Sequence, residues 1–293
     1  MGNVLIVTNK VRHYMSSFIK HCHSFLRLAF ILTVFGLLYG CSSDEVKEDP
    51  YANWSAKDFY TEASNDLRLA EFETAIKKLE TLEARYPFSS YAKQAQLDVA
   101  YAYYKFDEPD SAISAVNRFI RLHPRNPHID YAIYLKGLAN FYRGGNILDM
   151  IFPRDLSEHD PKNLKQAMND FNDLIRRYPE SIYAPDAYLR SLYLHNKLAE
   201  AEIRAADYYM RREAWVGAVN RAQNVIKYYQ RSPARNRALD IMITAYGKLG
   251  MDKLAEDSRL IRKMNPSVKT ESLTEQQTKE LKQNKTLVTP AVK

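Results

Sequence analysis

The chain has 293 residues, 46% of them hydrophobic and only 9 of them glycine, which is enough apolar matter for one or two cores and too little glycine for a turn-rich β fold. Its formal net charge is +7, but residues 1–40 hold Lys10, Arg12, Lys20 and Arg27 and no acid, so only +3 remains beyond them. That balance excludes the concentrated basic face that nucleic-acid binding requires. The two cysteines, Cys22 and Cys41, both lie near the start, so the body of the chain must be held by packing and not by disulfides.

Taken in order, the first feature is an address. The apolar run Leu28 to Leu38 follows Lys20 and Arg27 and contains no acid, the form of a secretory signal and shorter than the roughly 20 residues needed to span a bilayer. Residues 1–40 are therefore expected to be a signal peptide. Met15 is a second candidate start, since Met15 to Gly40 alone has the length of a normal signal. The run ends at Leu38-Tyr39-Gly40-Cys41, which resembles the bacterial lipobox. Leu38, Gly40 and Cys41 fit that pattern and Tyr39 departs from it; the competing reading is an ordinary signal with an incidental cysteine.

The lipobox resemblance implies that Cys41 becomes the acylated N-terminus, anchored in lipid by chains whose buried CH₂ groups contribute about 0.8 kcal/mol each. Ser42 in the next position implies sorting to the outer membrane, facing the periplasm of a Gram-negative bacterium. Residues 41–53 are then the lipidated end and a polar tether without a periodic apolar face.

From residue 54 to 266 the chain repeats itself. Ala63, Ala75 and Pro87 are 12 apart, Ala100, Ala112 and Pro124 repeat the spacing, and Ala167 and Pro179 repeat it again in a copy that begins at Gly137. Small residues at two fixed places let paired helices cross closely, and the proline turns the chain after the second helix. Ala112, Val116, Phe119 and Ala167, Phe171, Leu174 fall on matching helical faces. A fourth copy carries Ala206 and Ala218 with its proline displaced to Pro233, and a fifth, degenerate copy carries Ala245, Ala255 and Pro266. The expected fold is all-α: a tetratricopeptide-repeat solenoid of about five helix pairs. In the third copy 30 residues separate Gly137 from Ala167, which predicts an insertion within residues 144–163, either a functional loop or a patch on the solenoid's own groove. Residues 267–293 are polar and of mixed charge, the composition of a disordered tail.

Catalytic patterns are missing. There is no Gly-x-Ser-x-Gly elbow, phosphate loop or dinucleotide fingerprint, and repeats fill the space a separate enzyme domain would need. His123 and His128 flank a turn without cysteines or a helical histidine pair nearby, so solvated turn residues are expected there in place of a zinc site. The chain is read as a non-enzyme without cofactor or metal. Its 21 tyrosines, among them Tyr86, Tyr91, Tyr104, Tyr131, Tyr134 and Tyr183, gather near repeat junctions. There they either line a groove for extended peptides or pack one repeat on the next.

Several stretches resemble the BamD family (also called YfiO or ComL), lipoproteins of the β-barrel assembly machinery of the outer membrane. They include Arg85-Tyr86-Pro87-Phe88, Ala102-Tyr103-Tyr104-Lys105, Arg118-Phe119-Ile120-Arg121-Leu122, Asn126-Pro127-His128-Ile129-Asp130-Tyr131 and Ala214-Trp215-Val216-Gly217-Ala218-Val219-Asn220-Arg221. The resemblance runs from Cys41 to about Asn265, and the tail beyond Pro266 departs from it. It implies a lipid-anchored scaffold whose partners are a BamA-like barrel insertase and other assembly lipoproteins, with unfolded outer-membrane β-barrel proteins as substrates. Arg221 matches an arginine that contacts the insertase, and Tyr86, with Phe88 beside it, lies where the substrate's targeting strand is received. The alternative is another repeat lipoprotein, such as a pilotin that escorts a secretin.

Overall fold

The computed structural model describes residues 49–143, 161–265 and 277. Ten helices follow one another among them: α1 (Ala56–Arg68), α2 (Phe72–Arg85), α3 (Ala92–Lys105), α4 (Pro109–Leu122), α5 (Ile129–Tyr142), α6 (Pro161–Arg177), α7 (Ala184–Arg211), α8 (Trp215–Tyr228), α9 (Ala234–Lys248) and α10 (Asp252–Met264). The chain divides into two compact units, residues 1–53 and 54–293. In the first, only a turn at residues 49–53 is described, closed by the Ala52 N–H donating to the Asp49 carbonyl at 3.0 Å.

In the second unit each helix packs on its neighbour in sequence, and α1 also touches α3, α3 touches α5 and α7 touches α9. Odd-numbered helices thus stack in one row and even-numbered helices in another, the arrangement of a helix-pair solenoid. The sequence register explains why. Ala63, Ala75, Ala100, Ala112, Ala167, Ala206, Ala218 and Ala245 are all fully buried and Ala255 nearly so, as small residues between packed helices should be. Gly137 takes the same place in α5 and is also buried.

Two turns recur. Between the helices of a pair, Ala70, Asp107, Glu213 and Gly250 adopt positive φ of 62, 63, 56 and 70°. In each case the next residue's N–H reaches back to a carbonyl of the last turn: Glu71 to Asp66, Glu108 to Tyr103, Ala214 to Tyr209 and Met251 to Tyr246, at 2.9 to 3.0 Å. This is the Schellman arrangement, which satisfies carbonyls the helix itself leaves open. Between pairs, the Ser89, Asn126, Ser181 and Ser232 N–H groups each donate at 3.0 Å to the carbonyl three residues back. Pro87, Pro124 and Pro179 hold the second place of this turn, where a fixed φ suits it. In the fourth repeat the same turn forms over Tyr229-Gln230-Arg231-Ser232 without a proline, and Pro233 instead precedes α9.

The periodic pattern did not anticipate α7. At 28 residues it is twice the usual length and packs on α6, α8 and α9, Ser191 in its first half bonding Asn172 of α6 and Asp207 in its second half pairing with Arg237 of α9. No glycine or proline interrupts it after Pro185, so nothing in the chain stops the helix between the two contacts. The expected insertion falls between α5 and α6, but α6 already begins at Pro161, so Lys162 and Asn163 belong to the helix. Residues 144–160, the signal segment, Cys41 and the tail after Asn265 apart from Gln277 lie outside the described residues.

Candidate partner-binding surface

The stretch Trp215 to Arg221 forms the first half of α8, and each residue has a separate steric role. Trp215 packs beside a buried cluster of Val219, Ala245, Tyr246 and Ala255. A Cβ on Gly217 would stand 3.0 Å from Tyr209 Cδ1, so glycine lets α8 lie close against the end of α7. Ala218 is buried at the crossing. Three residues on, Arg221 emerges with its side chain 44% exposed, its Nη1 3.4 Å from Glu202 Oε2 on α7. Glu202 is only 14% exposed and also accepts from Asn224 Nδ2 at 3.2 Å. An exposed ion pair of that length contributes little stability. Its effect is to hold a planar guanidinium at the rim of a 380 Å³ recess lined by Tyr209, Gly217, Asn220, Gln223 and Asn224, where its remaining N–H donors can meet a carboxylate in two-point fashion.

Tyr86 and Phe88 are neighbours in sequence with opposite roles. The Tyr86 hydroxyl donates to the Trp54 carbonyl at 2.6 Å and its ring lies 6.3 Å from Phe59, which in turn meets Trp54 edge-on at 5.1 Å. Tyr86 therefore fastens the start of the first repeat. Phe88 is 100% exposed, a large apolar side chain in solvent at the turn into α3. Both belong to the turn between the first and second repeats and Arg221 to the fourth, so the two regions lie on different repeats.

Most junction tyrosines pack one repeat on another. Tyr104, Tyr131 and Tyr134 are buried, Tyr134 stacks on Tyr183 at 4.9 Å, and Tyr60 meets Tyr91 at 5.3 Å. The histidines do not converge. His123 Nε2 lies 2.9 Å from Gln96 Oε1, His128 precedes α5, and His195 sits beside Tyr229, its imidazole held below the ordinary pKa by burial. No group of three metal-ligating side chains is found among the described residues, and no described helix is long and apolar enough to cross a membrane.

Two charged clusters escaped the pattern. Arg190, 1% exposed, pairs with Asp186 at 2.5 Å, its guanidinium 5.4 Å from the Phe141 ring centroid, while the Tyr134 hydroxyl donates to the same carboxylate. Asp98, 2% exposed, receives Gln94 Nε2 at 2.8 Å and the Tyr60 hydroxyl at 3.1 Å; burial pushes its pKa up to about 6. Asp186 and Arg190 are visible in the chain as an i, i+4 pair, but nothing local says that α5 will cover them.

A solenoid of paired helices defines a protein of the helical-repeat class. Residues 52–260 match the family described as YfiO, outer membrane lipoprotein, and the chain belongs to that family. Among its curated relatives, the outer membrane protein assembly factor BamD of Vibrio cholerae is 39% identical over 80% of this chain and 96% of its own length. The protein of that name from Neisseria meningitidis serogroup A is 43% identical over 73% and 80%, and that of Xylella fastidiosa 35% identical over 81% of each.

Proposed function

We propose that this chain is the lipid-anchored scaffold and substrate-receiving component of an outer-membrane β-barrel assembly complex. On this reading it is held to the outer membrane through acylated Cys41, binds a BamA-like barrel insertase and further assembly lipoproteins through the repeats around Arg221, and receives unfolded barrel proteins at the early repeats near Tyr86 and Phe88. It has no turnover of its own. The observation that carries the reading is the likeness to proteins named as assembly factors, 39% identical over 80% of this chain and 96% of the Vibrio cholerae relative. Two surface features support it: the exposed guanidinium of Arg221 over its recess and the wholly exposed Phe88 ring.

The test is Arg221→Glu in the acylated protein, followed by purification of its complex from detergent-solubilised outer membranes. Reversing the charge sets like against like at a carboxylate-binding surface, so the insertase is expected to be lost from the purified material while helicity and melting temperature stay close to wild type. Recovery of a secretin in place of a barrel insertase would favour the pilotin alternative. Undiminished recovery of the insertase with the variant would remove Arg221 from the interface.

A further inference from the structure

Grooves open between successive even-numbered helices from α2 to α8, each floored by the odd-numbered helix between them, and these three differ in chemistry. The groove between α2 and α4 is lined by ionic and hydroxyl side chains including Glu80, Tyr103, Ser114 and Arg118. The one between α6 and α8 carries Met168, Tyr188, Leu192 and Tyr228. The middle one, between α4 and α6 over α5, has a volume of about 360 Å³ and presents four primary amides: Asn117, Asn140, Gln166 and Asn169. We propose that this middle groove binds the main chain of an extended, uncharged polypeptide segment, reading its peptide groups and not its side chains.

Charge balance comes first. Among the described residues the cations at the groove are Lys136 and Arg143, and each is neutralised, Lys136 by Asp170 at 2.9 Å and Arg143 by Asp110 at 2.5 Å. A free anion or cation would therefore meet no unbalanced partner among these described side chains, which suit a neutral dipolar ligand best. The amides come second. A primary amide offers two donors and an acceptor, the complement of the C=O and N–H that every peptide unit presents. Asn117 and Asn169 stand exposed on facing helices, one on each wall.

The floor gives an independent indication. Asn140 is 3% exposed, and its Nδ2 donates to Asp170 Oδ2 at 2.8 Å while its Oδ1 has no hydrogen-bond partner. Buried acceptors without a donor are uncommon and costly, and a ligand N–H would supply the missing one.

Among the described residues lining this groove none is aromatic, so they offer no flat platform on which sugar rings or bases would stack. The walls are long enough to hold such a segment, since a 14-residue helix such as α4 spans about 21 Å, the reach of roughly six extended residues. The inference rests on the proposed handling of unfolded clients and specifies how one repeat could hold segments of varied sequence, since main-chain groups are common to all of them.

The experiment uses the acylated full chain in detergent and a fluorescent ten-residue peptide of alternating threonine and valine, followed by polarisation. A second peptide carries N-methyl groups at alternate residues, removing N–H donors while leaving the side chains alone. The double substitution Asn117→Ala with Asn169→Ala is expected to weaken binding about tenfold, the loss of two modest hydrogen bonds, and N-methylation to weaken binding to wild type by a similar factor. Circular dichroism should be unchanged, because both asparagines are exposed. Equal affinity of wild type and double variant, equal affinity of the two peptides, or displacement of the peptide by a soluble peptidoglycan glycan would each overturn the assignment. A parallel arm measures wild type against a urea-unfolded barrel protein. If wild type captures that client and the amide variant does so equally well, the groove assignment fails alone; if wild type does not capture it, the substrate-receiving function fails.

Discussion

Gly137 and Phe171 meet face to face across the third helix pair: a Cβ built on Gly137 would lie 2.6 Å from Phe171 Cε1. Phe171 is fully buried, so its ring has no free space to swing into. Alanine, tolerated at this place in the other four repeats, is thereby excluded from the third, where the partner helix brings a ring to the crossing. Gly137→Ala should destabilise the protein by about 1 to 3 kcal/mol through overpacking, read as a fall in melting temperature. Phe171→Leu in the same chain should relieve part of that loss. An unchanged melting temperature for the single variant would mean that α5 and α6 do not cross here.

Ala70 and Glu213 hold positive φ without being glycine. The left-handed region is crowded for a residue with a Cβ, at a cost of about 1 to 2 kcal/mol, while glycine gives back part of that advantage through its freer unfolded chain. Ala70→Gly and Glu213→Gly should each stabilise the protein by about 0.5 to 1 kcal/mol. Chemical denaturation of the two single variants measures it, and a decrease in midpoint for both would contradict the turn geometry.

Arg190 lies in the joint between α5 and α7, where its charge is balanced by Asp186. Arg190→Leu leaves that carboxylate and the Tyr134 hydroxyl without their cation. Removing one partner of a buried pair costs about 3 to 5 kcal/mol. Because the Asp186 side chain is 30% exposed, the lower end is expected. Adding Asp186→Leu to Arg190→Leu should recover part of the stability. A double variant less stable than the single one by the full effect of Asp186→Leu would show the two residues to be uncoupled.

Asp98 predicts an acid-side gain. Its folded pKa is raised to about 6 by burial, with Gln94 and Tyr60 as its hydrogen-bond donors. The folded state therefore binds the proton more tightly than the unfolded chain. The favourable contribution is complete below the ordinary carboxylate range near pH 4 and is lost as pH rises through about 6. Asp98→Asn, which cannot ionise, should be more stable than wild type at pH 7.5, on the order of 2 to 3 kcal/mol, and the advantage should shrink towards pH 4. Melting curves of both proteins from pH 4 to 8 test the sign. A constant difference across that range would mean that Asp98 does not titrate there.

Cys41→Ser removes the proposed acylation site. The product is expected to remain uncleaved or to appear in the soluble periplasmic fraction, in contrast to a wild-type protein whose mature N-terminus carries lipid on residue 41. Mass spectrometry of the mature end decides this, and an unacylated N-terminus at another residue would refute the anchor.

The 12-residue spacing of small residues and prolines by itself determined the helix pairing, the crossing positions and the phase of Arg221 on α8, because these depend on local steric fit repeated at a fixed period. It did not determine the length of α7, since a helix continues until something stops it, and here the stops are the turn at Ser181 and the positive-φ turn at Glu213. Nor did it distinguish Tyr86 from Phe88, two rings two residues apart: only the folded first repeat ties one to the Trp54 carbonyl and leaves the other in solvent. Burial separates the remaining cases. Arg190, Asp98 and Asn140 read in the chain as ordinary polar helix residues, and each becomes a buried group with specific partners only when a helix distant in sequence closes over it. That is a property of tertiary packing, which local periodicity does not encode.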